Sequence, residues 1–299
     1  MQKKIYLIVA VVFISCATYL GKSDKLINYV DPFIGSGGHG HVFVGANVPF
    51  GGVQVGPTNF NKGWDWSSSY HHTDSIVKGF CHINVSGTGM SDLGELTIMP
   101  ATGKLMTGAG TQNNHMAGYS SLYYKDKEHA SVGYYKVHLE RYDIDVELTA
   151  TERVGLHRYR FPKSDQSRVI IDLGEGSADR PTETYLKKIN DTLFQGHRFS
   201  SGWARDQREY FSLIISKPVD DFILYDRHKK FKGEERKGDY VKGFLEFSTK
   251  SNENIMVKMG ISTVSSKNAL ENMMIELPHW DFSKVKKDAE KKWEKELSK

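Results

Sequence analysis

The sequence predicts an all-β protein: a two-sheet β-sandwich followed by a C-terminal helix. Three observations carry this. Short strand-like segments recur with turn residues between them. Nowhere do helices and strands alternate as a parallel α/β sheet requires. Near Asn268 the chain changes character and becomes helical. Composition agrees, since the 299 residues include 28 glycines and 12% aromatics, which suits a turn-rich β fold with a sizeable core.

Taken in order, the first residues have the pattern of an export signal. Lys3 and Lys4 precede an apolar run from Ile5 to Ile14, too short to cross a bilayer as a helix. The run closes on "FISC", Phe13–Cys16, which has the form of a bacterial lipoprotein cleavage site with Cys16 as the lipidated residue; the alternative is a plain signal cut near Ala17. Residues 17–25 are polar and serve as a tether. From Tyr29 to Met99 glycine and aromatics are dense, as in short strands joined by structured loops, with Val53 and Val55 as a β core.

Regular strand signals follow. "DVELTATERVGLHRYRF", Asp145–Phe161, alternates, breaks and alternates again, placing Leu156, Arg158 and Arg160 on one face and His157, Tyr159 and Phe161 on the other. "RVIIDL", "TLFQGHRFS", "YFSLIIS", "FILYD", "GFLEFS" and "IMVKMGIS" continue the series. Then "DFSKVKKDAEKKWEKELSK" carries Phe282, Val285, Ala289, Trp293 and Leu297 on one helical face, with Asp281 as N-cap and Asp288–Lys292 as a supporting pair. That stripe needs a partner surface. Either it folds back on the sandwich or it is an orphaned linker, in which case the helix is mobile or self-associates and truncation before Asn268 leaves the sandwich folded.

Charge narrows the function. The formal net charge is +4, and much of the excess lies on this solvated helix, not in an arginine cluster with interleaved aromatics, so nucleic acid is set aside. With only two cysteines, Cys16 and Cys81, neither a disulfide framework nor a thiolate zinc site is available. "GSGGHGHVFVGANVPFGGVQVGPTNF", Gly35–Phe60, has glycines enough to cradle a phosphate. It lacks both phosphate-loop spacings, and tight turns account for its glycines. "VSGTG", Val85–Gly89, is not a nucleophile elbow.

"GWDWSSSYHHTDSIVKGFCHINVSGTGMSDLGE", Gly63–Glu95, is the candidate site, and three readings of it compete. A metal site is possible in residue type, but His71 and His72 are adjacent and no H-x-x-x-H pair exists. The tryptophans could simply be core residues. A sugar site fits Trp64, Asp65 and Trp66, because a sugar offers a C–H face to an indole and a rim of hydroxyls to acceptors and donors. One of the two indoles is then structural. Tyr70, His71, His82 and Asp92 are the further candidates.

Three stretches, "NYVDPFIGSGGHGHVFVGANVPFGGVQVGPTNF", "GWDWSSSYHHTDSIVKGFCHINVSGTGMSDLGELTIMP" and "ELPHWDFSKVKKDAEKKWEKEL", together resemble the N-terminal part of glycoside hydrolase family 92, the calcium-dependent exo-α-mannosidases. The resemblance runs from about Leu26 to the C-terminus. It implies a supersandwich, mutarotase-like domain over residues 26–266 and a helical linker over 267–299, after residues 1–16 as signal and 17–25 as tether. The family's (α/α)6 catalytic barrel would begin where this chain stops. By the same resemblance the ligands are α-mannosides or N-glycans, and the sandwich contributes glycine- and tryptophan-rich loops to the site. The general acid, the base and most of the calcium ligands would come from the barrel, so no catalytic or metal residue is assigned here. A separately encoded barrel would be a partner, and the chain would be an exported lipoprotein, periplasmic or on the outer membrane. Val44 stands where the family often has proline. Cys81, His82, Ile83 and Asn84 replace the usual serine-histidine-threonine-histidine, so Asn84 is given no sugar contact.

Overall fold

The computed structural model describes residues 25–177 and 179–299. The signal segment and Cys16 lie outside the described residues. Two antiparallel sheets share one apolar core. The first has seven strands, in the order Gly56–Thr58, Gly79–Cys81, Thr97–Thr102, Ser164–Asp172, Val241–Thr249, Asp221–Asp226 and Lys229–Phe231. The second has nine: Glu235–Gly238, Arg180–Lys188, Leu193–Ser201, Gln207–Ile215, Glu253–Ser262, Val154–Phe161, Ile144–Ala150, Tyr134–Leu139 and His129–Ser131. Aromatic pairs bridge the sheets: Phe161 meets Phe247 edge-on at 5.6 Å, and Phe194 lies 5.2 Å from Phe222.

The alternation expected for Leu156–Phe161 is present. His157, Tyr159 and Phe161 are buried and Arg160 is exposed. Leu156 points the other way and is also buried, because the outer face of this strand is covered by two helices. Helix α1, Ser266–Glu276, is capped by Ser265, whose side chain accepts from Asn268 N at 3.1 Å. Helix α2, Phe282–Leu297, is capped by Asp281, which accepts from Lys284 N at 2.9 Å. Tyr134, Val154, Leu156, Met273, Leu277, Phe282 and Val285 form a second core between sheet and helices.

The apolar stripe of α2 is therefore not left without a partner, and the expectation of an orphaned helix is corrected. Phe282, Val285 and Ala289 are buried on the sandwich, and the Arg158 guanidinium covers the Phe282 ring at 4.3 Å. Trp293 donates its indole N–H to Asn47 O at 2.9 Å. Glu294 accepts from the backbone N–H groups of Leu26 and Ile27, both at 3.0 Å. Glu276, at the end of α1, accepts from Arg153 N at 2.9 Å and from Thr151 Oγ1 at 2.5 Å. Asp288 pairs with Lys284 and Lys291 and not with Lys292, which reaches instead to Glu152 at 2.5 Å.

One buried ionic cluster ties the loops at one end of the sandwich. Arg198, fully buried in Leu193–Ser201, places Nη1 2.8 Å from Glu95 Oε1 and 2.5 Å from Asp179 Oδ2. Its Nε donates to Leu173 O at 3.1 Å, and Ser200 Oγ donates to Glu95 Oε1 at 2.8 Å. One guanidinium cannot neutralise two buried carboxylates, so one of them keeps its proton. Burial, opposed by Arg198 and reinforced by Asp179, pushes the Glu95 carboxyl up to about 8.

Two outcomes are expected. Replacing Phe282 by alanine opens the second core and should lower the unfolding free energy by about 3 kcal/mol in urea titrations. A loss below about 1 kcal/mol would mean that α2 adds little to the fold. For Glu95, a raised folded pKa means that its contribution is complete below about pH 4.5 and is lost as pH rises through about 8. Wild type should therefore lose stability relative to Glu95→Gln between pH 5 and 9, and parallel pH curves for the two proteins would contradict the shared-proton arrangement.

Candidate functional site

The quoted stretch Trp64–Trp66 is a single 3-10 turn on the surface and not a core strand. Its start at Gly63 has φ of 123°, and Asn61 Oδ1 accepts from Gly63 N at 2.8 Å to shape the entry. The turn throws its two indoles into different surroundings. Trp66 is half-buried. It stacks on His71 at 4.3 Å, donates to Asp74 Oδ2 at 3.0 Å and lies under the Lys62 ammonium at 5.3 Å. Trp66 is thus the structural indole. Trp64 is the open one, 57% exposed.

Trp64 is nevertheless held still. Its Nε1 donates to Gly89 O at 2.6 Å, and His41 packs edge-on against its ring at 4.2 Å. A β-carbon on Gly89 would come within 2.7 Å of the indole, so only glycine permits this seat. His39 lies 5.2 Å from the same ring, and its Nδ1 is 2.5 Å from Asp65 Oδ1. That hydrogen bond holds the Asp65 carboxyl below the usual carboxylate range. His41 is buried, and its Nε2 has no hydrogen-bond partner; it lies 3.7 Å from Asp65 Oδ1. The shoulder therefore combines an open indole, an ionised carboxylate and an imidazole nitrogen awaiting a partner. Such a set suits a ligand with an apolar face and hydroxyls at its edge.

Of the residues expected at the site, the structure brings Trp64, Asp65, Trp66 and His71 together. His71 is mostly buried and bonds Thr73 Oγ1 at 2.8 Å, with Gly38 O 3.3 Å from its other nitrogen, so it anchors the glycine-rich loop beneath His39. Asp92 is on the neighbouring loop. It accepts from Gln207 Nε2 at 2.8 Å and Ala204 N at 3.2 Å, and its Oδ1 is left without a partner. Tyr70 and His82 do not share this surface. Tyr70 is buried, with its hydroxyl committed to Glu128 at 3.1 Å and Lys125 at 2.8 Å, and burial pushes its pKa well up. His82 is fully buried between the sheets, with Nδ1 2.7 Å from Leu96 O and Nε2 2.9 Å from His157 Nε2. Burial lowers its pKa to about 4.

His39 and His41 are site residues that sequence reasoning missed. They stand in "GGHGH", where the glycines drew attention to backbone and not to the side chains between them. Asn84 is buried and donates to Gln54 O at 2.9 Å. Cys81 is buried and free, its thiol pKa pushed up by burial. Among the described residues no group of three or more His, Cys, Asp or Glu is set to hold a metal ion. No described helix is long and apolar enough to cross a membrane.

The Glycosyl hydrolase family 92 N-terminal domain matches residues 29–262, more than half of the chain. A GH92 α-mannosidase from Bacteroides thetaiotaomicron, solved with mannoimidazole, superposes with a TM-score of 0.89 at 34% identity, covering 92% of this chain and 37% of that one. A GH92 inverting mannosidase from Bacteroides thetaiotaomicron VPI-5482 superposes with a TM-score of 0.78 at 22% identity, over 92% of this chain and 36% of that one, a likeness of fold. An uncharacterized secreted glycosidase of Arthroderma benhamiae is 24% identical, over 91% of this chain and 38% of its own length. The chain thus spans less than two-fifths of the proteins it matches. The all-β sandwich and the family are those that the sequence motifs imply: this chain belongs to glycosyl hydrolase family 92, and residues 29–262 are that family's N-terminal domain.

Proposed function

We propose that this chain supplies the sugar-facing side of an α-mannosidase-like glycoside hydrolase and that, by itself, it binds α-mannosides or N-glycans without cleaving them. The observation that carries the reading is Trp64: an open indole fixed at its N–H by Gly89, beside the Asp65 carboxylate and the unpartnered His41 nitrogen. The solved relative that binds mannoimidazole supports the choice of sugar.

The carboxyl groups at and beneath the Trp64 shoulder support binding without cleavage. Inverting hydrolysis needs a protonated acid and a base carboxylate set roughly 6.5–9.5 Å apart across the ring. Asp65 is held ionised by His39 and makes a poor acid. Burial raises the pKa of Glu95 to about 8, but its carboxyl is sealed against Arg198 with no exposed surface. The acid, the base and the calcium site would come from a catalytic barrel, in the same polypeptide or separately encoded. Export and anchoring through Cys16 complete the reading, supported by "FISC" and by the secreted relative. A stand-alone glycan-binding lipoprotein on the cell surface is the second reading, favoured by the same "FISC" and by the lowered pKa of Asp65 at the Trp64 shoulder.

Calorimetric titration of the full chain with methyl α-mannoside should show binding that Trp64→Ala weakens roughly tenfold or more. The same protein should release no mannose from aryl α-mannosides, with or without calcium. Robust turnover abolished by Asp65→Asn would place the reaction in this chain and overturn the reading. Mass spectrometry of the exported protein should find a lipid-modified Cys16 at its N-terminus; an unmodified terminus at Ala17 or beyond would remove the anchor.

A further inference from the structure

Of the five tryptophans, three are occupied by the protein. Trp66 is stacked on His71, Trp280 lies under the Lys258 ammonium at 4.1 Å, and Trp293 is bonded to Asn47. The other two are open, Trp64 and Trp203, and Trp203 is 74% exposed. Neither a ring contact nor a side-chain hydrogen bond engages Trp203 among the described residues. A lone exposed indole is ordinary, but two open indoles held by one short segment make a larger apolar surface of the kind that meets a ligand.

The two open indoles are mounted on the same segment. Gly89 O receives the Trp64 N–H, and three residues further on Asp92 holds the loop of Trp203. That hold is close. Gly202 N donates to Ala204 O at 2.9 Å, Ala204 N donates to Asp92 Oδ2 at 3.2 Å, and a β-carbon on Gly202 would stand 2.2 Å from Asp92 Oδ1. Three peptide units bring Gly89 and Asp92 to within about 11 Å of each other. Asp92 is itself more than nine-tenths buried, yet its Oδ1 has no hydrogen-bond partner. Beside Trp203 the exposed Arg205 and Asp206 add donors and acceptors of the kind that hydroxyls use.

We infer that Trp203 is a second stacking surface of the same site, and that the ligand is an α-linked oligosaccharide with rings on both indoles, not a single sugar. This rests on the sugar-binding reading above and adds the substrate's size to it. Asp92 acts as a positioning residue that sets the Trp203 loop against the Trp64 shoulder.

The test titrates the full chain with methyl α-mannoside and with an α-linked mannotriose. Wild type should bind the trisaccharide roughly tenfold tighter than the monosaccharide, the scale of one added aromatic contact. Trp203→Ala should bring that ratio close to one. Trp64→Ala should weaken both ligands, and Ile275→Ala, exposed on α1, should leave both affinities unchanged. Thermal melting of each variant checks folding, which an exposed indole should not affect. Binding by wild type with no preference for the trisaccharide, or a preference that survives Trp203→Ala, overturns the inference and leaves the sugar reading standing. Failure of wild type to bind either mannoside overturns the sugar reading, and the inference with it.

Discussion

A guanidinium sealed from water governs the end of the sandwich where the site is built. Arg198 cannot shed its proton, so its burial is tolerable only with carboxylates and carbonyls brought to it. These come from separate parts of the chain: Glu95 at the end of the candidate stretch, Asp179 after the loop that follows Ser164–Asp172, and Leu173 O. Satisfying the charge therefore fixes where the Gly89–Asp92 segment leaves the core, and with it the carbonyl that receives Trp64 and the carboxylate that holds the Trp203 loop. A surface site gains its rigidity from a charge several residues beneath it. The cluster sets one positive charge against two buried carboxyl groups, and burial raises the pKa of Glu95.

The two tryptophans of "GWDW" show how one turn can serve core and ligand together. A 3-10 turn advances side chains by about a third of a circle, so residues two apart diverge. Trp66 is spent on His71, Asp74 and Lys62, and in return His71 reaches Gly38 and steadies the loop that carries His39 and His41. Those histidines give Asp65 its ionised state and Trp64 its backing. Loss of the Trp66 stack would therefore be felt at Trp64 without any contact between the two indoles.

The period-two patterns of Asp145–Phe161 and of the later strands were legible because each has one face buried between the sheets. The helical stripe from Phe282 was equally plain, but its partner was not. Periodicity says that a face must be buried and is silent on where, and the outer face of Val154–Phe161 declares itself only through Leu156 among arginines. At the site, Trp64 and Asp65 stood out by residue type. His39, His41 and Trp203 did not, since each is brought in by a loop whose path depends on long-range bonds. Tyr70 and His82 had the chemistry of ligand residues and the burial of core residues, and a single sequence does not separate the two.

His82 shows what such a core histidine does. Leu96 O can only accept, so His82 Nδ1 carries a proton and its Nε2 is the acceptor. His157 Nε2, 2.9 Å away, must then be the donor, which leaves its Nδ1 to accept from the Tyr159 hydroxyl at 2.8 Å. Every proton in the chain Leu96–His82–His157–Tyr159 is thus assigned, and an added proton on His82 Nε2 would set two N–H groups against each other. Burial lowers both pKa values in the same sense. The pair joins the turn before Ile83–Asn84 to the strand Val154–Phe161 of the nine-stranded sheet, from the core side of the loops that carry the indoles. Two neutral rings in fixed tautomers there do for direction what Arg198 does for charge: they allow those loops one way of leaving the sandwich.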